Sequence, residues 1–223
     1  MLIAGFQKTS FVDYPGQPAA TIFTPYCNFN CDYCHNAHIL GKDAPLIAED
    51  AVWEYLEKRK GLIKAVVISG GEPTLQQNLT EFIRRVKGLG YLVKLDTNGA
   101  KPDVLRSLMR DALIDYVAMD IKAPLAKYDA ITRVHVDTDA IVKSILFLRN
   151  GGVPHEFRTT FCPALTPDDA VEAAQLVKGT KKFFLQQYRK RFESDPEPHL
   201  PSVVNETAER IREAIGVCTV RGL

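Results

Sequence analysis

Six short apolar runs recur along the chain, each followed by a stretch with helical periodicity, and this alternation restricts the fold more than any other feature. The runs are AATIFT (19–24), AVVIS (65–69), YLVKLDT (91–97), DYVAMDIK (115–122), HEFRTTF (155–161) and KFFLQQY (182–188). Each is rich in β-branched or aromatic residues and short enough for a buried strand. Between them, EDAVWEYLEKRK sets Val52, Tyr55 and Leu56 on one helical face. LTEFIRRVKGLG reaches a glycine stop at Gly88 or Gly90. KPDVLRSLMRD, TDAIVKSILFLRNGG and TPDDAVEAAQLVK continue the series, the last with Thr166 as N-cap and Pro167 in the first turn. Strands alternating with helices predict a parallel sheet flanked by helices. Six units are too few for the usual eight-unit closed barrel. The expected fold is therefore α/β, a partial (β/α)6 TIM-like barrel: an open parallel sheet with helices outside. One domain is expected over residues 1–223, with a core at about 17–190, an N-terminal lead-in at 1–16 and a C-terminal helical extension at 191–223.

Charge narrows the partners. Lys and Arg total 28 against 27 Asp and Glu, a net charge of +1. No basic excess recommends nucleic acid. No apolar run approaches the ~20 residues of a membrane span, and the N-terminus lacks the pattern of a signal peptide. A cytoplasmic, reducing location is expected, where clustered cysteines read as metal ligands or redox thiols.

The cluster is TPYCNFNCDYCHN (24–36), with Cys27, Cys31 and Cys34 on the loop after the first run. A structural zinc site wants four ligands, commonly with paired C-x2-C spacing, and the fourth would have to be His35, His38 or a distant cysteine. A redox pair of Cys31 and Cys34 leaves Cys27 unused. An iron–sulfur cube on three thiolates fits better, because its fourth iron stays open to a small molecule. Cys162 and Cys218 read as buried structural residues.

Parallel α/β sheets carry their chemistry at the carboxyl ends of the strands. Those ends hold SGGEP (69–73), DTNG (96–99) and MDIKAP (119–124). Gly70, Gly71, Glu72 and Pro73 could be a simple strand-ending turn, which leaves the acidic residue unexplained. Asp96 to Gly99 alone is good turn chemistry. Arg158 lies on a strand expected to be buried, either paired with a carboxylate in the barrel mouth or in solvent at an edge.

With these segments on one rim, the chain resembles the radical S-adenosylmethionine (SAM) superfamily. The resemblance rests on C-x3-C-x2-C with Tyr33 before the last cysteine, and on the GGEP, DTNG and MDIK segments. It implies a [4Fe-4S] cluster on Cys27, Cys31 and Cys34 whose open iron binds SAM. It also implies reductive cleavage of SAM to methionine and a 5′-deoxyadenosyl radical. GGEP would bind the methionine end. Asp96, Thr97, Asn98, Met119 and Asp120 would lie against SAM, with a monovalent cation expected near Asp96, Thr97, Met119 and Asp120. Lys122 would pair with the SAM carboxylate, and Gln187 and Arg189 would approach the ribose. Tyr33 and Arg158 join this cofactor-binding set.

Within the superfamily, KTSFVDYPG, YCHN and DTNG…MDIK are similar to the glycyl-radical-enzyme activases. LVKLDTNG and DYVAMDIKAPLAKY look most like the activating proteins of anaerobic ribonucleoside-triphosphate reductase. Only ten residues separate Leu40 from Ala51, and none is cysteine, so an insert with extra clusters is not expected. The implied partners are a glycyl radical enzyme as protein substrate and a flavodoxin or ferredoxin as electron donor. Asp13 and His35 would lie on the substrate side. Related activases often carry glycine just before the first cysteine, where this chain has Pro25-Tyr26. The rival readings are a radical SAM enzyme acting on a small molecule and a non-catalytic iron–sulfur or zinc protein.

Overall fold

The structure, a computed structural model, describes residues 1–41 and 43–223. In chain order its elements are β1 (Gly5–Tyr14), β2 (Gln17–Thr24), α1 (Glu49–Lys58), β3 (Ala65–Gly70), α2 (Leu79–Gly88) and β4 (Leu92–Thr97). Then come α3 (Pro102–Arg110), β5 (Tyr116–Asp120), α4 (Tyr128–Thr132), α5 (Thr138–Asn150) and β6 (His155–Phe161). The series ends with α6 (Pro167–Gln175), β7 (Phe183–Gln187), α7 (Pro201–Ile215) and β8 (Thr219–Arg221). Among the described residues, no helix is long and apolar enough to cross a membrane.

All eight strands join one sheet in sequence order. The six expected strands form its parallel centre, as the alternation predicts. Two strands were not expected. The lead-in folds as β1, antiparallel to β2 across the Pro15-Gly16 turn, where Gly16 takes a φ of 71°. The C-terminal extension carries the expected helix, α7, and then β8 pairs in parallel with β7. Gly216, at a φ of 86°, stops α7, and its N–H donates to the Arg212 carbonyl. At α6, the Thr166 hydroxyl accepts from Asp169 N–H while Asp169 accepts from Thr166 N–H, a reciprocal cap.

Side chains alternate across each strand, so the sheet has two unlike faces. Val66, Ile68, Val93, Leu95, Val117, Met119 and Phe157 face the helices, buried against residues such as Leu56, Ile83, Leu105 and Ile145. The other face begins with a small apolar plug at the amino ends of the strands: Ala19, Ala65, Val67 and Tyr116, with Tyr14 from β1. Beyond that plug the same face turns polar and leads to the carboxyl rim.

Candidate active site

The cysteine loop leaves β2 through backbone contacts that only glycine permits opposite it. Gly71 N–H donates to the Thr24 carbonyl and Glu72 N–H to the Tyr26 carbonyl, both at 2.8 Å. A Cβ on Gly71 would stand 1.8 Å from the Tyr26 carbonyl oxygen, and one on Gly70 2.3 Å from Thr24 N. The two glycines therefore let β3 press against the root of the cysteine loop. Tyr26 itself takes a φ of 65°, the left-handed backbone that glycine adopts more readily.

Cys27, Cys31 and Cys34 line one cavity of about 450 Å³ at the carboxyl rim. Gly70, Gly71, Glu72, Asp96, Thr97, Asn98, Asp120, Lys122 and Arg158 share its wall, as do Tyr33, Asp13 and His35. Most of the residues singled out from the sequence thus meet at one place. Four do not line it. Met119 lies on the helix-facing side, fully buried, with its Cε only 2.1 Å from where a Cβ on Gly99 would stand. Gln187 likewise faces the helix side and donates to the His199 carbonyl, and Arg189 reaches the Gly222 carbonyl at the surface. Pro73 is buried at the start of a 3₁₀ turn. The strand's two-residue period puts Gln186 in the cavity in place of Gln187. Gln186 pairs with Thr160, two residues beyond Arg158 on the same face.

In the same cavity wall a partly buried charge chain crosses the strands. Lys94 Nζ lies 2.6 Å from Asp96, Arg158 Nε 2.8 Å from Asp120, and Lys122 Nζ 2.9 Å from Asp120. Arg158 Nη1 also reaches Asp96 at 3.4 Å, and the Ser69 hydroxyl donates to Asp96 at 3.1 Å. Burial works to raise both carboxyls, yet the cations win: Lys94 and Arg158 hold Asp96 below the usual carboxylate range, and Arg158 and Lys122 do the same for Asp120. Burial works against the Lys122 charge, but Asp120 keeps it firmly protonated. The expected monovalent cation finds no support in this arrangement: Lys94, Lys122 and Arg158 contact these carboxylates, and Met119 lies on the helix-facing side. A second polar cavity adjoins the first, sharing Asp13, Asp96, Arg158 and Gln186 and extending to Lys94, Glu156 and Arg221.

Glu72 acts as a bracket. Its Oε1 accepts from Thr74 N–H (3.1 Å), the Thr74 hydroxyl (2.5 Å) and the Thr97 hydroxyl (2.8 Å), while Oε2 accepts from Asn98 N–H at 2.7 Å. Burial pushes its carboxyl up despite these donors. The bracket fixes Asn98, whose Nδ2 donates to Asn28 at 2.9 Å and points at Cys27 Sγ at 3.8 Å. Asp13 accepts from the Thr21 hydroxyl at 2.7 Å, and the His35 ring lies 6.4 Å from that of Tyr188. Asn36, beside His35 in YCHN, is also on the wall, and Phe29, Leu40 and Thr160 line it without having been candidates.

The donor set can be tested against the group the loop would hold. Among the described residues, no three His, Cys, Asp or Glu side chains are arranged to hold a single metal ion, which disfavours zinc. Thiolates of one cube bind different irons, so they need to share a cavity and not converge on a single ion, and Cys27, Cys31 and Cys34 do share one. Phe29 N–H points at Cys27 Sγ at 3.4 Å, the kind of sulfur hydrogen bond that tunes such clusters. Burial pushes the Cys27 thiol up to about 11 and raises that of Cys31, so both deprotonate on metal binding. The three-cysteine site fits an iron–sulfur cube.

Comparison with known proteins agrees. The family model "Radical SAM superfamily" matches residues 21–177. A protein of Methanocaldococcus jannaschii, provisionally named a glycyl-radical enzyme activating enzyme, is 35% identical over 207 residues, 88% of this chain and 83% of its own length. A GTP 3′,8-cyclase of Pyrococcus horikoshii, also provisionally named, is 30% identical over 138 residues, 60% of this chain but 44% of the cyclase. A solved domain of a pyruvate-formate lyase-activating enzyme from Bacteroides vulgatus shares the fold, with a TM-score of 0.59, 17% identity, and 71% of this chain and 99% of that one covered. The chain is a radical SAM enzyme, a member of the Radical SAM superfamily.

Proposed function

We propose that this chain activates a glycyl radical enzyme, and that the partner is an anaerobic ribonucleoside-triphosphate reductase. The observation that carries the proposal is the single cavity uniting Cys27, Cys31 and Cys34 with the Asp96–Arg158–Asp120 charge chain. Cys27, Cys31 and Cys34 would hold a [4Fe-4S] cluster. When bound, the cluster and SAM together supply the carbon radical that takes one hydrogen atom from a glycine Cα. The protein contributes binding, orientation and exclusion of water.

The residues divide that work. Gly70 and Gly71 keep the cysteine loop against β3, and Glu72 and Asn98 brace its first half. Asp120 and Lys122 would meet the charged groups of SAM, with Arg158 holding Asp120 ionised at neutral pH. Tyr33 would pack beside Lys122, whose Nζ lies 5.9 Å from its ring centre. Asp13 and His35 lie on the cavity wall and would face the incoming glycine segment. A flavodoxin or ferredoxin would deliver the electron. The match spanning most of the activating-enzyme relative, against less than half of the cyclase, favours a protein substrate over a nucleotide.

Anaerobic reconstitution followed by dithionite and SAM tests the reading. We expect about four irons and four sulfides per chain, formation of 5′-deoxyadenosine, and a glycyl radical signal on the reductase or a glycine-containing peptide. Alanine at Cys27, Cys31 or Cys34 should abolish all three results, whereas Cys162→Ala and Cys218→Ala should leave them in place. Tight zinc in place of iron would overturn the assignment. SAM cleavage with transfer only to a small molecule would reject the protein substrate.

A further inference from the structure

The segment after β7 crosses back over the cysteine loop and grips its second half. Arg191 Nη1 donates to the Cys34 carbonyl at 2.9 Å and Nη2 to the Asp32 carbonyl, across a separation of more than 150 residues. Two parallel donors from one planar guanidinium fix both distance and direction. The guanidinium is itself held: Asp195 Oδ2 accepts from Arg191 N–H (2.8 Å), Phe192 N–H (3.2 Å) and Arg191 Nε (3.4 Å). Arg191 and Asp195 are mostly shielded, with side chains 22% and 12% exposed.

The other tethers do different work. Asn98 and the Glu72–Tyr26 bond hold the first half of the loop. Asn30 N–H donates to the Thr132 carbonyl in its middle, and just past Cys34 Asn36 Nδ2 donates to the Gly70 carbonyl at 2.9 Å, without touching the Asp32 or Cys34 carbonyls. The Arg133–Asp32 pair is 57% and 73% exposed and so contributes little. Among the described residues, Arg191 is the side chain that holds the carbonyls of Asp32 and Cys34.

We propose that Arg191 is a positioning residue for the cluster: its fork sets where Cys34 presents its sulfur, and its fixed charge beside that corner raises the cluster's reduction potential. The proposal rests on the three-cysteine site described above and requires no particular substrate. A positive charge near the cluster favours the state that has gained an electron. Partners that orient a metal ligand carry a measurable share of metal retention, roughly 10–100-fold on removal.

The test uses the full reconstituted chain without any protein substrate. In Arg191→Gln, iron loss to an iron(II) chelator should speed up about tenfold or more, and the midpoint potential should move more negative. Arg191→Lys keeps the charge but not the fork; it should restore the potential while iron loss stays fast. Iron loss at the wild-type rate with an unchanged potential in Arg191→Gln would overturn the proposal, as would full rescue of both readouts by lysine. If Arg191→Gln fails to fold, Asp195→Asn removes the group that fixes the guanidinium: iron loss should again speed up, while the potential, relieved of a nearby negative charge, should move more positive; iron loss at the wild-type rate there overturns the proposal. Iron content of the wild-type protein separates this outcome from failure of the cluster reading, and neither readout depends on activase activity.

Discussion

On one face of β4 stand Val93 and Leu95, and on the other Lys94 and Asp96; β6 repeats the contrast with Phe157 against Glu156 and Arg158. The helix-facing side holds the fold together by excluding water. The opposite side holds ionised groups that excluded water alone would penalise. A closed eight-stranded barrel fills its interior with layers of branched apolar side chains. Here the sheet stays open between β1 and β8, its apolar filling stops at the Tyr14–Tyr116 plug, and charge takes over above it. Residues one position apart on a strand can thus answer to different selection, one for stability and one for the site.

The contrast is sharpest at Arg158. Replacement by Met should destabilise the protein by about 3–5 kcal/mol, because Asp96 and Asp120 each lose a charge-assisted hydrogen bond to their shared cation and keep only Lys94 and Lys122. Both carboxyls are depressed in the folded state. Their stabilisation is therefore complete above the ordinary carboxylate value of about 4 and fades only as pH falls through the lower folded values. The deficit of Arg158→Met, measured by urea unfolding, should be constant between pH 7 and pH 5 and shrink below about pH 4. On the other face, Met119→Ala should cost about 2–5 kcal/mol through its cavity. That deficit should not vary with pH, and the protein should bind its full iron. A pH-dependent Met119→Ala deficit would break the two-face description. The smallest effect belongs to the rim, where face no longer matters. Gly71→Ala should cost about 1–3 kcal/mol and displace the root of the cysteine loop, read as weaker iron retention at unchanged helix content by circular dichroism.

The parallel centre of the sheet was legible because its strands are continuous apolar runs, which buried parallel strands must be. β1 was not, because GFQKTSFVDY exposes Lys8, Phe11 and Val12 and has no such run. β8 has three residues, too few for any periodicity. At the site, cysteine spacing and strand-end placement found the cavity, since both are local properties. Met119 and Gln187 fall outside the cavity because consecutive residues at a strand end were read as one surface, although a strand turns every second side chain away. The Gly70–Gly71 pair was recognised, but its reason was not: the crowding comes from the Tyr26 carbonyl, a contact between strands that sequence neighbours do not report. Arg191 lay beyond reach for the same reason, since nothing local links it to Cys34.

One pairing carries a consequence for how the chain is made. Glu156 is 2% exposed, and its counter-ion is Arg221, whose Nη1 lies 2.8 Å away and which is translated 65 residues later. At ordinary rates of elongation that delay is on the order of seconds. Throughout it, β6 can dock only with an acid that lacks its counter-ion or by leaving that acid in water. The nascent sheet is thus held short of its final closure until β8 arrives, so the adjoining polar cavity is among the last parts of the molecule to set.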